Sequence, residues 1–256
     1  MDKTKEKSYK KLFFSLSQIN QLIVRESNEK ILIKGICDLL IDAAGYAGVG
    51  IGKINAKTQE FDLLYANAKT HLDESEIKQL KASVNQNLDY GKGTIAKAYN
   101  TAKPIIINDI TNCPDMSYWS DFYKKNNFHS ICTIPIFKNN AIEYILIIYD
   151  FFKDSFAGEE EIRLINEIQL DISFALNKIE SQKNAFLLTE AIEKSHEWAL
   201  ITDKNANILY VNQAVCEISG YSRGELIGQK PRIFKSGFQD NAFYKKLWET
   251  IINARL

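Results

Sequence analysis

The stretch EEEIRLINEIQLDISFALNKIESQKNAFLLTEAIEKS, residues 159–195, organises the rest of the chain. It contains neither proline nor glycine, and it opens with three glutamates, which stabilise the positive end of a helix dipole. Its apolar residues recur at alternating intervals of three and four, a spacing typical of a coiled-coil seam. These positions are Ile165, Ile168, Ile172, Ala175, Ile179 and Phe186. The pattern predicts one long helix whose seam is covered by a second copy of the same helix in a homodimer.

A second interpretation of this stretch is that its first half packs as an ordinary helix and its second half is a linker. Seams of this regularity are uncommon on monomeric linkers, so the spacing favours the homodimer.

The overall composition describes an ordinary folded protein without a global charge preference. The 256 residues suffice for one large or two modest domains, and Lys plus Arg balance Asp plus Glu at 32 each. This balance provides no electrostatic field that favours nucleic acid or a membrane surface. The longest apolar run, Tyr144 to Phe152, is too short to span a bilayer. The N-terminal segment is an amphipathic helix rather than a secretory signal, so we expect a cytoplasmic protein.

No arrangement of side chains in the sequence predicts catalysis or metal binding. The four cysteines lie far apart and show no C-x-x-C spacing. The three histidines are scattered, and none lies in a motif with a serine, a cysteine or another metal ligand. We therefore expect a binding protein in a reducing compartment, with no metal site and no catalytic residues.

Helices and strands alternate through the first 158 residues in an order that predicts an α+β fold. The predicted helices cover 9–23, 29–44, 73–84, 94–99 and 117–125. The predicted strands cover 47–54, 60–68, 105–108, 129–137 and 142–151. The last two strands are rich in β-branched residues and are joined by a good hairpin turn, which places them at the centre of a sheet. An antiparallel sheet with its helices segregated on one side accounts for this order.

Several segments of this region resemble a GAF domain. They are GTIAKAYNTAKPIIINDI at 93–110, SICTIPIF at 130–137, YILIIYDF at 144–151, and a phenylalanine shortly before the acidic helix. The resemblance covers about Lys11 to Ile179. It implies that a small molecule lies between the sheet and the segment from Tyr90 to Phe128.

Aromatic residues in that segment are the candidate ligand contacts. Tyr118, Trp119 and Phe122, flanked by Asp109 and His129, are expected to line the pocket and to stack on a planar ligand. The alternative is that these aromatic residues fill the cavity themselves and that His129 is a structural histidine.

The ligand motifs of GAF domains leave the cofactor unknown. Bilin-binding members carry a Cys-His pair where this sequence has Tyr118 and Trp119, so covalent bilin attachment is not expected. Members that bind cyclic nucleotides carry an Asn-Lys pair where this sequence has Tyr149 and Asp150, although Phe156 and the following glutamates match their pattern.

After Ser195 the sequence resembles the N-terminal half of a PAS domain of the S-box type. The resemblance covers Ala199 to Ile252 and rests on ITDKNANILYVN at 201–212, GYSRGELIG at 220–228 and FYKKLWETI at 243–251. It makes Asn212 and Trp248 candidate pocket residues, although a helix cap and a core residue are the simpler interpretations. Photoreceptor members carry a reactive cysteine where this sequence has Pro231, so a flavin-cysteinyl adduct is not expected. A PAS domain has three further strands, so we expect the sequence to be a piece of a longer protein.

These patterns predict a GAF sensor domain at 1–158, a signalling and dimerisation helix at 159–195, and part of a PAS domain at 196–256. By resemblance, such a combination precedes a cyclic dimeric GMP synthase or phosphodiesterase, or a histidine kinase, in bacterial signalling proteins. The expected mechanism is that a ligand in the GAF pocket changes the register or rotation of the seam. Two alternatives are a flavin- or haem-bearing redox or gas sensor, and a ligand-free structural spacer.

Overall fold

A five-stranded antiparallel sheet lies at the centre of the first 181 residues. Its strands are β1 (Gly48–Ile54), β2 (Phe61–Ala68), β3 (Ile105–Ile107), β4 (Ser130–Lys138) and β5 (Ala141–Asp150), in the spatial order β2-β1-β5-β4-β3. The computed structural model describes residues 13, 16–70, 72, 80–235 and 237–253, with the backbone alone at 251–253. Strand β5 is the central strand and β4 lies next to it, so the predicted α+β class and antiparallel sheet are confirmed.

Three long helices cover one face of this sheet. They are α1 (16–25), α2 (Glu29–Asp42) and the first part of α5 (Glu159–Glu193). Helix α2 begins where the Asn28 side chain accepts hydrogen bonds from the backbone N–H groups of Lys30 and Ile31, as is usual for an N-cap residue. Its buried residues, such as Leu32, Ile36 and Leu40, recur every four positions and face the sheet.

The regular apolar row of α5 faces the core of its own domain. Ile165, Ile168, Ile172, Ala175 and Ile179 are at most 8% exposed and belong to one cluster with residues of α1, α2 and the sheet. Side chains that are enclosed within one chain are not available to a second chain. The structure therefore corrects the interpretation of these five positions as a dimer seam. Phe186, the sixth position, is 64% exposed.

The other face of the sheet carries shorter helices, so the helices are not segregated on one side as the sequence predicted. Helix α3 (Thr94–Thr101) is followed by a 3-10 helix (Pro114–Trp119) and by α4 (Ser120–Lys125), where the sequence predicted one helix at 117–125. Residues 9–12, 14 and 15 of the first predicted helix and 73–79 of the third lie outside the described residues. Residues 80–84 are not helical, because Ser83 forms a β-bridge with Glu60.

Residues 182–256 form a second unit that contains the end of α5 and a two-stranded antiparallel sheet. The strands of this sheet are β6 (Leu200–Thr202) and β7 (Ile208–Val211). The helices that follow are α6 (Gln213–Ser219), α7 (Arg223–Leu226) and α8 (Asn241–Asn253). Gly220 ends α6 with a φ of 77°, and Ser222 and Glu225 form a capping box at the start of α7. A glycine in the left-handed region and a Ser-x-x-Glu capping box are local signals that end and begin helices.

Candidate functional site

A cavity of about 610 Å³ lies on the face of the sheet opposite the long helices. Ile131 of β4 and Ile147 of β5 line it, whereas the next residue on each strand, Cys132 and Ile148, packs against the long helices. This alternation follows from the two-residue period of a β-strand. Residues of α3, the 3-10 helix and α4 form the walls. The volume is within the range of about 300–1,000 Å³ that is usual for small-molecule sites.

Two glycines allow aromatic rings to approach the backbone around this cavity. A Cβ atom at Gly48 would lie 2.8 Å from Cζ of Phe128, and one at Gly93 would lie 2.6 Å from Cη2 and Cζ3 of Trp119. Both distances are shorter than van der Waals contact, so any larger residue would displace these rings. The shape of the cavity wall thus depends on glycine at both positions.

Two of the predicted ligand contacts, Trp119 and Phe122, line the cavity. Trp119 is 8% exposed, and its Nε1–H donates a hydrogen bond to the carbonyl oxygen of Lys81 at 2.9 Å. The ring of Phe122 packs edge-on against Tyr123 and Phe128, with centroid distances of 5.8 and 5.9 Å. The structure therefore brings these two aromatic side chains together in one wall.

Tyr118 points away from the cavity, contrary to the prediction. It is 48% exposed and packs on Tyr90 and Trp119, with centroid distances of 5.7 and 5.2 Å. Adjacent residues on a helix point about 100–120° apart, so the inward position of Trp119 leaves Tyr118 on another face. The sequence prediction had placed Tyr118, Trp119 and Phe122 on one helix and in one wall.

Asp109 and His129 also lie outside the lining of the cavity. Asp109 caps a short 3-10 helix by accepting a hydrogen bond from the N–H of Thr111, and its carboxylate pairs with Nζ of Lys153 at 2.7 Å. The hydrogen bond from Lys153 holds the pKa of Asp109 well below its usual range. Nε2 of His129 lies 3.2 Å from Oδ1 of Asn127. The structure removes Asp109 and His129 from the candidate site and gives both local contacts instead.

The sequence did not predict the aromatic residues of the deep wall, Tyr123, Phe128 and Tyr149. The rings of Phe128 and Tyr149 are stacked, with a centroid distance of 4.7 Å and an angle of 10°. Burial raises the pKa of the Tyr123 and Tyr149 phenols, so both stay protonated at neutral pH. Side chains alternate between the two faces of a strand, so the position of Tyr149 two residues after Ile147 could have indicated that both face the cavity.

Charged side chains are confined to the exposed part of the lining. Among the described residues that line the cavity, the charged ones are Asp62 and Lys81, and both are exposed. The interior is therefore apolar and aromatic, with hydroxyl groups as its polar contacts.

In the second unit, Asn212 is a structural residue and not a pocket residue. It is fully buried, and its Nδ2 donates hydrogen bonds to the carbonyl oxygens of Ile192 at 2.9 Å and Glu197 at 2.8 Å. Its Oδ1 accepts hydrogen bonds from the N–H groups of Ala199 at 3.1 Å and Val215 at 3.4 Å. The structure corrects the pocket assignment of Asn212 and supports its role as a helix cap.

Trp248 lies on α8 and is half-buried. It is outside the buried cluster of Ile208, Val211, Val215 and Leu226, and it does not line the cavity described above.

The described part of the chain contains neither a candidate metal cluster nor a candidate membrane span. No group of three or more His, Cys, Asp or Glu side chains there could hold a metal ion. None of the helices in that part is both long enough and apolar enough to cross a bilayer.

Solved structures share the fold of the first unit. The GAF domain of a phosphoenolpyruvate-protein phosphotransferase from Coxiella burnetii superposes with a TM-score of 0.54 and 17% identity, over 69% of this chain and 98% of that chain. The free methionine-R-sulfoxide reductase from Neisseria meningitidis gives a TM-score of 0.53 and 15% identity, over 66% of this chain and 89% of that chain. At these identities the similarity shows the fold alone.

Two curated relatives match a short part of the chain. The nitrogen fixation regulatory proteins of Klebsiella oxytoca and Klebsiella pneumoniae are each 32% identical over 72 residues, which is 28% of this chain. The match spans 14% of the length of each relative.

Two family patterns cover most of the sequence. The PAS fold matches residues 187–255, and the GAF domain matches residues 26–177, which is more than half of the chain. Both are sensory domains, and the relatives above are regulatory proteins. The chain belongs to the GAF domain family, and its GAF domain is followed by a PAS domain, as in a signalling sensor.

Proposed function

We propose that this chain is the sensory and dimerisation module of a bacterial signal-transduction protein in the cytoplasm. A small ligand binds in the GAF cavity, and α5 relays the change to the PAS domain. The output domain lies outside this sequence and is a cyclic dimeric GMP synthase or phosphodiesterase, or a histidine kinase. The functional parts are the GAF sensor at 1–158, the signalling helix at 159–195 and the PAS part at 196–256.

The observation that carries this proposal is the continuity of α5 from one domain into the other. The helix has 35 residues, and its buried row from Leu164 to Ile179 belongs to the GAF core. Its last turn is held in the second unit, where Nη2 of Arg223 lies 2.9 Å from both carboxylate oxygens of Glu193. One uninterrupted helix thus shares packing with both domains, so a displacement in one is transmitted to the other.

The cavity and α5 also contact the same strands. Two hydrogen bonds join α5 to β4. Gln169 Nε2 donates to the carbonyl oxygen of Pro135 at 2.7 Å, and the N–H of Phe137 donates to Ser173 Oγ at 3.0 Å. The opposite face of β4 contributes Ile131 to the cavity. A ligand that shifts β4 therefore shifts the attachment points of α5.

We propose homodimer formation through the exposed part of α5 and not through its buried row. All side chains from 181 to 189 are exposed, including Phe186, Leu187 and Leu188 at 53–65%. An isolated helical segment of this length is only marginally stable in water. Packing of its apolar side chains against another surface would stabilise it. Ala185, Leu188 and Ile192 follow the three-four spacing of a seam, so the same segment of a second copy can cover them.

The cavity also weighs against the alternative of a ligand-free spacer. That alternative requires Tyr118, Trp119 and Phe122 to fill the space themselves. Instead Tyr118 lies outside, and about 610 Å³ remains between the other two residues and the sheet.

A metabolite screen by thermal shift, followed by hydrogen exchange, tests the sensor proposal. A cavity ligand at 100 times its Kd should stabilise the chain by about 2.7 kcal/mol and alter amide exchange at 182–193. Ala66→Phe fills the cavity from β2 and should abolish both effects, because Ala66 lines it. Leu209→Phe, at a position 59% exposed on β7, is the matched control and should preserve both. Compounds that bind the wild type and the Ala66→Phe variant equally would contradict the cavity as the sensory site.

A further inference from the structure

We infer that the GAF cavity takes a flat, uncharged aromatic ligand whose carbonyl or ring-nitrogen acceptors bind the hydroxyl groups of Tyr123 and Tyr149. This inference rests on the proposed function, since it specifies the ligand class of the same cavity. Three independent features carry it: the aromatic walls, the two free hydroxyl groups and the absence of charge from the interior.

The deep end of the cavity is lined on several sides by aromatic rings. Tyr149 stacks on Phe128 at 4.7 Å, and Tyr123 packs against Tyr149 at 6.0 Å and against Phe122 at 5.8 Å, measured between ring centroids. Trp119 closes an adjacent side. Flat ligands gain the most binding energy between such walls, because offset stacking and edge-to-face contacts need a planar partner.

The four tyrosines of the lining differ in how their hydroxyl groups are satisfied. The hydroxyl groups of Tyr65 and Tyr90 donate to carboxylates of the protein, at 2.7 and 3.4 Å. Within the described part of the chain, no hydrogen bond of the Tyr123 or Tyr149 hydroxyl group is found, and neither oxygen is among the fully enclosed unpaired atoms there. Tyr123 is only 5% exposed, and both residues line the cavity, so the cavity is the space left to these two donors.

The remaining uncharged polar side chains of the lining are already paired. Ser83 Oγ and Trp119 Nε1 donate to backbone carbonyl oxygens at 2.7 and 2.9 Å, and Thr94 Oγ1 accepts from Thr133 at 2.7 Å. The hydroxyl groups of Tyr123 and Tyr149 are therefore the uncharged polar groups of the lining that stay available to the acceptors of a ligand.

The charge distribution excludes a strongly anionic ligand from the deep end. The lining residues of the described part include no arginine, and the lysine among them, Lys81, is exposed. Phosphate and carboxylate groups are usually held by arginine forks or by lysine, and burying an unpaired charge is costly. Protonated phenols in an apolar wall instead match neutral acceptors.

The test compares three probes of similar ring size by isothermal titration calorimetry on the full chain. Chromone is flat and neutral and has a carbonyl acceptor, naphthalene lacks an acceptor, and chromone-2-carboxylate adds a negative charge. We expect chromone to bind about tenfold more tightly than either of the others, which corresponds to one neutral hydrogen bond or slightly more.

Phenylalanine variants test the hydroxyl groups without removing a ring. Tyr123→Phe and Tyr149→Phe should each weaken chromone binding by about three- to tenfold and leave naphthalene binding unchanged. Tyr118→Phe, outside the cavity, should change neither affinity. Thermal unfolding of each variant shows that the fold is retained.

The outcomes separate this inference from the proposed function. Equal binding of chromone and naphthalene, tighter binding of the carboxylate, or an unchanged chromone affinity in both cavity variants would overturn the ligand class. The cavity would then still bind a ligand, and the sensor proposal would stand. Binding of none of the three probes would also overturn the ligand class, while the Ala66→Phe screen would decide the sensor proposal on its own.

Discussion

At the scale of single residues, Asn212 joins three segments of the chain with one side chain. Its amide group bonds the end of α5, the segment that leads into β6, and the first turn of α6, all from a fully buried position. An amide is suited to this place because it donates and accepts at the same time. The sequence showed the cap but not the bonds to Ile192 and Glu197, which depend on where α5 ends.

The variant Asn212→Asp tests this role. Aspartate retains the acceptor for the helix cap but loses both N–H donors, so the carbonyl groups of Ile192 and Glu197 lose their partner. We expect the free energy of unfolding of residues 182–256 to fall by about 2–4 kcal/mol, measured by hydrogen exchange across β7 and α6. Asn205→Asp at an exposed turn position is the control, with an expected change within about 0.5 kcal/mol. Equal losses in the two variants would disprove the structural role.

At the scale of elements, α5 has two different environments along one helix. Its first part has a buried row within the GAF core, and its part from 181 onward is exposed on all sides through residue 189. The same spacing of three and four residues therefore corresponds to two kinds of contact on this helix. In the first part it marks intramolecular packing, and in the second part we propose that it marks the dimer contact.

Lysine substitutions in the two parts of the helix distinguish packing within the GAF domain from the contact between copies. Ile172→Lys places a charge at a fully buried position and should destabilise the GAF domain by about 3–5 kcal/mol or more. Leu188→Lys with Ile192→Lys should leave the domain folded and convert a dimer into a monomer of 29.3 kDa. Size-exclusion chromatography with light scattering and thermal unfolding measure both properties.

The control for these variants is Lys183→Glu, at an exposed position of the same segment. It should retain the dimer, because Lys183 lies on the side of the helix opposite Ala185, Leu188 and Ile192. A folded dimer of the Leu188→Lys, Ile192→Lys variant would rule out this segment as the contact between copies.

At the scale of the whole molecule, the two units have cores of very different size. The GAF unit buries two large clusters, one on each face of its sheet, whereas the buried cluster of the second unit consists of Ile208, Val211, Val215 and Leu226 in the described residues. Apolar burial is the main source of stability, so the larger core should be the more stable one.

Hydrogen exchange of the full chain under native conditions should show this difference. Amides of β6, β7 and α6 should exchange at least about tenfold faster than those of β4 and β5, since the smaller unit opens at a lower free energy. Val215→Ala should lower protection in the second unit by about 1–3 kcal/mol and leave β4 and β5 unchanged. Simultaneous loss of protection in both units would show that they unfold as one.

The sequence by itself determined the features that depend on neighbouring residues. The helix caps at Asn28 and Asn212, the capping box at Ser222 and the stop at Gly220 are local, because their hydrogen bonds and φ angles involve residues within a few positions. The two central strands were equally clear, because their β-branched runs and hairpin turn are read along one segment. From these the α+β class followed, whereas the GAF and PAS domains were expected from the resemblance of longer segments to those families.

Only the tertiary structure decided which partner each apolar face meets. A row such as Ile165 to Ile179 has the same spacing whether it packs on a sheet or on a second helix, so the choice lies in the rest of the fold. The cavity shows the same limit. Trp119 and Phe122 were predicted from one helix, whereas Tyr123 and Tyr149 come together from α4 and β5 through contacts between distant residues. Their burial and their unpaired hydroxyl groups are properties of the assembled wall, which no single segment of sequence contains.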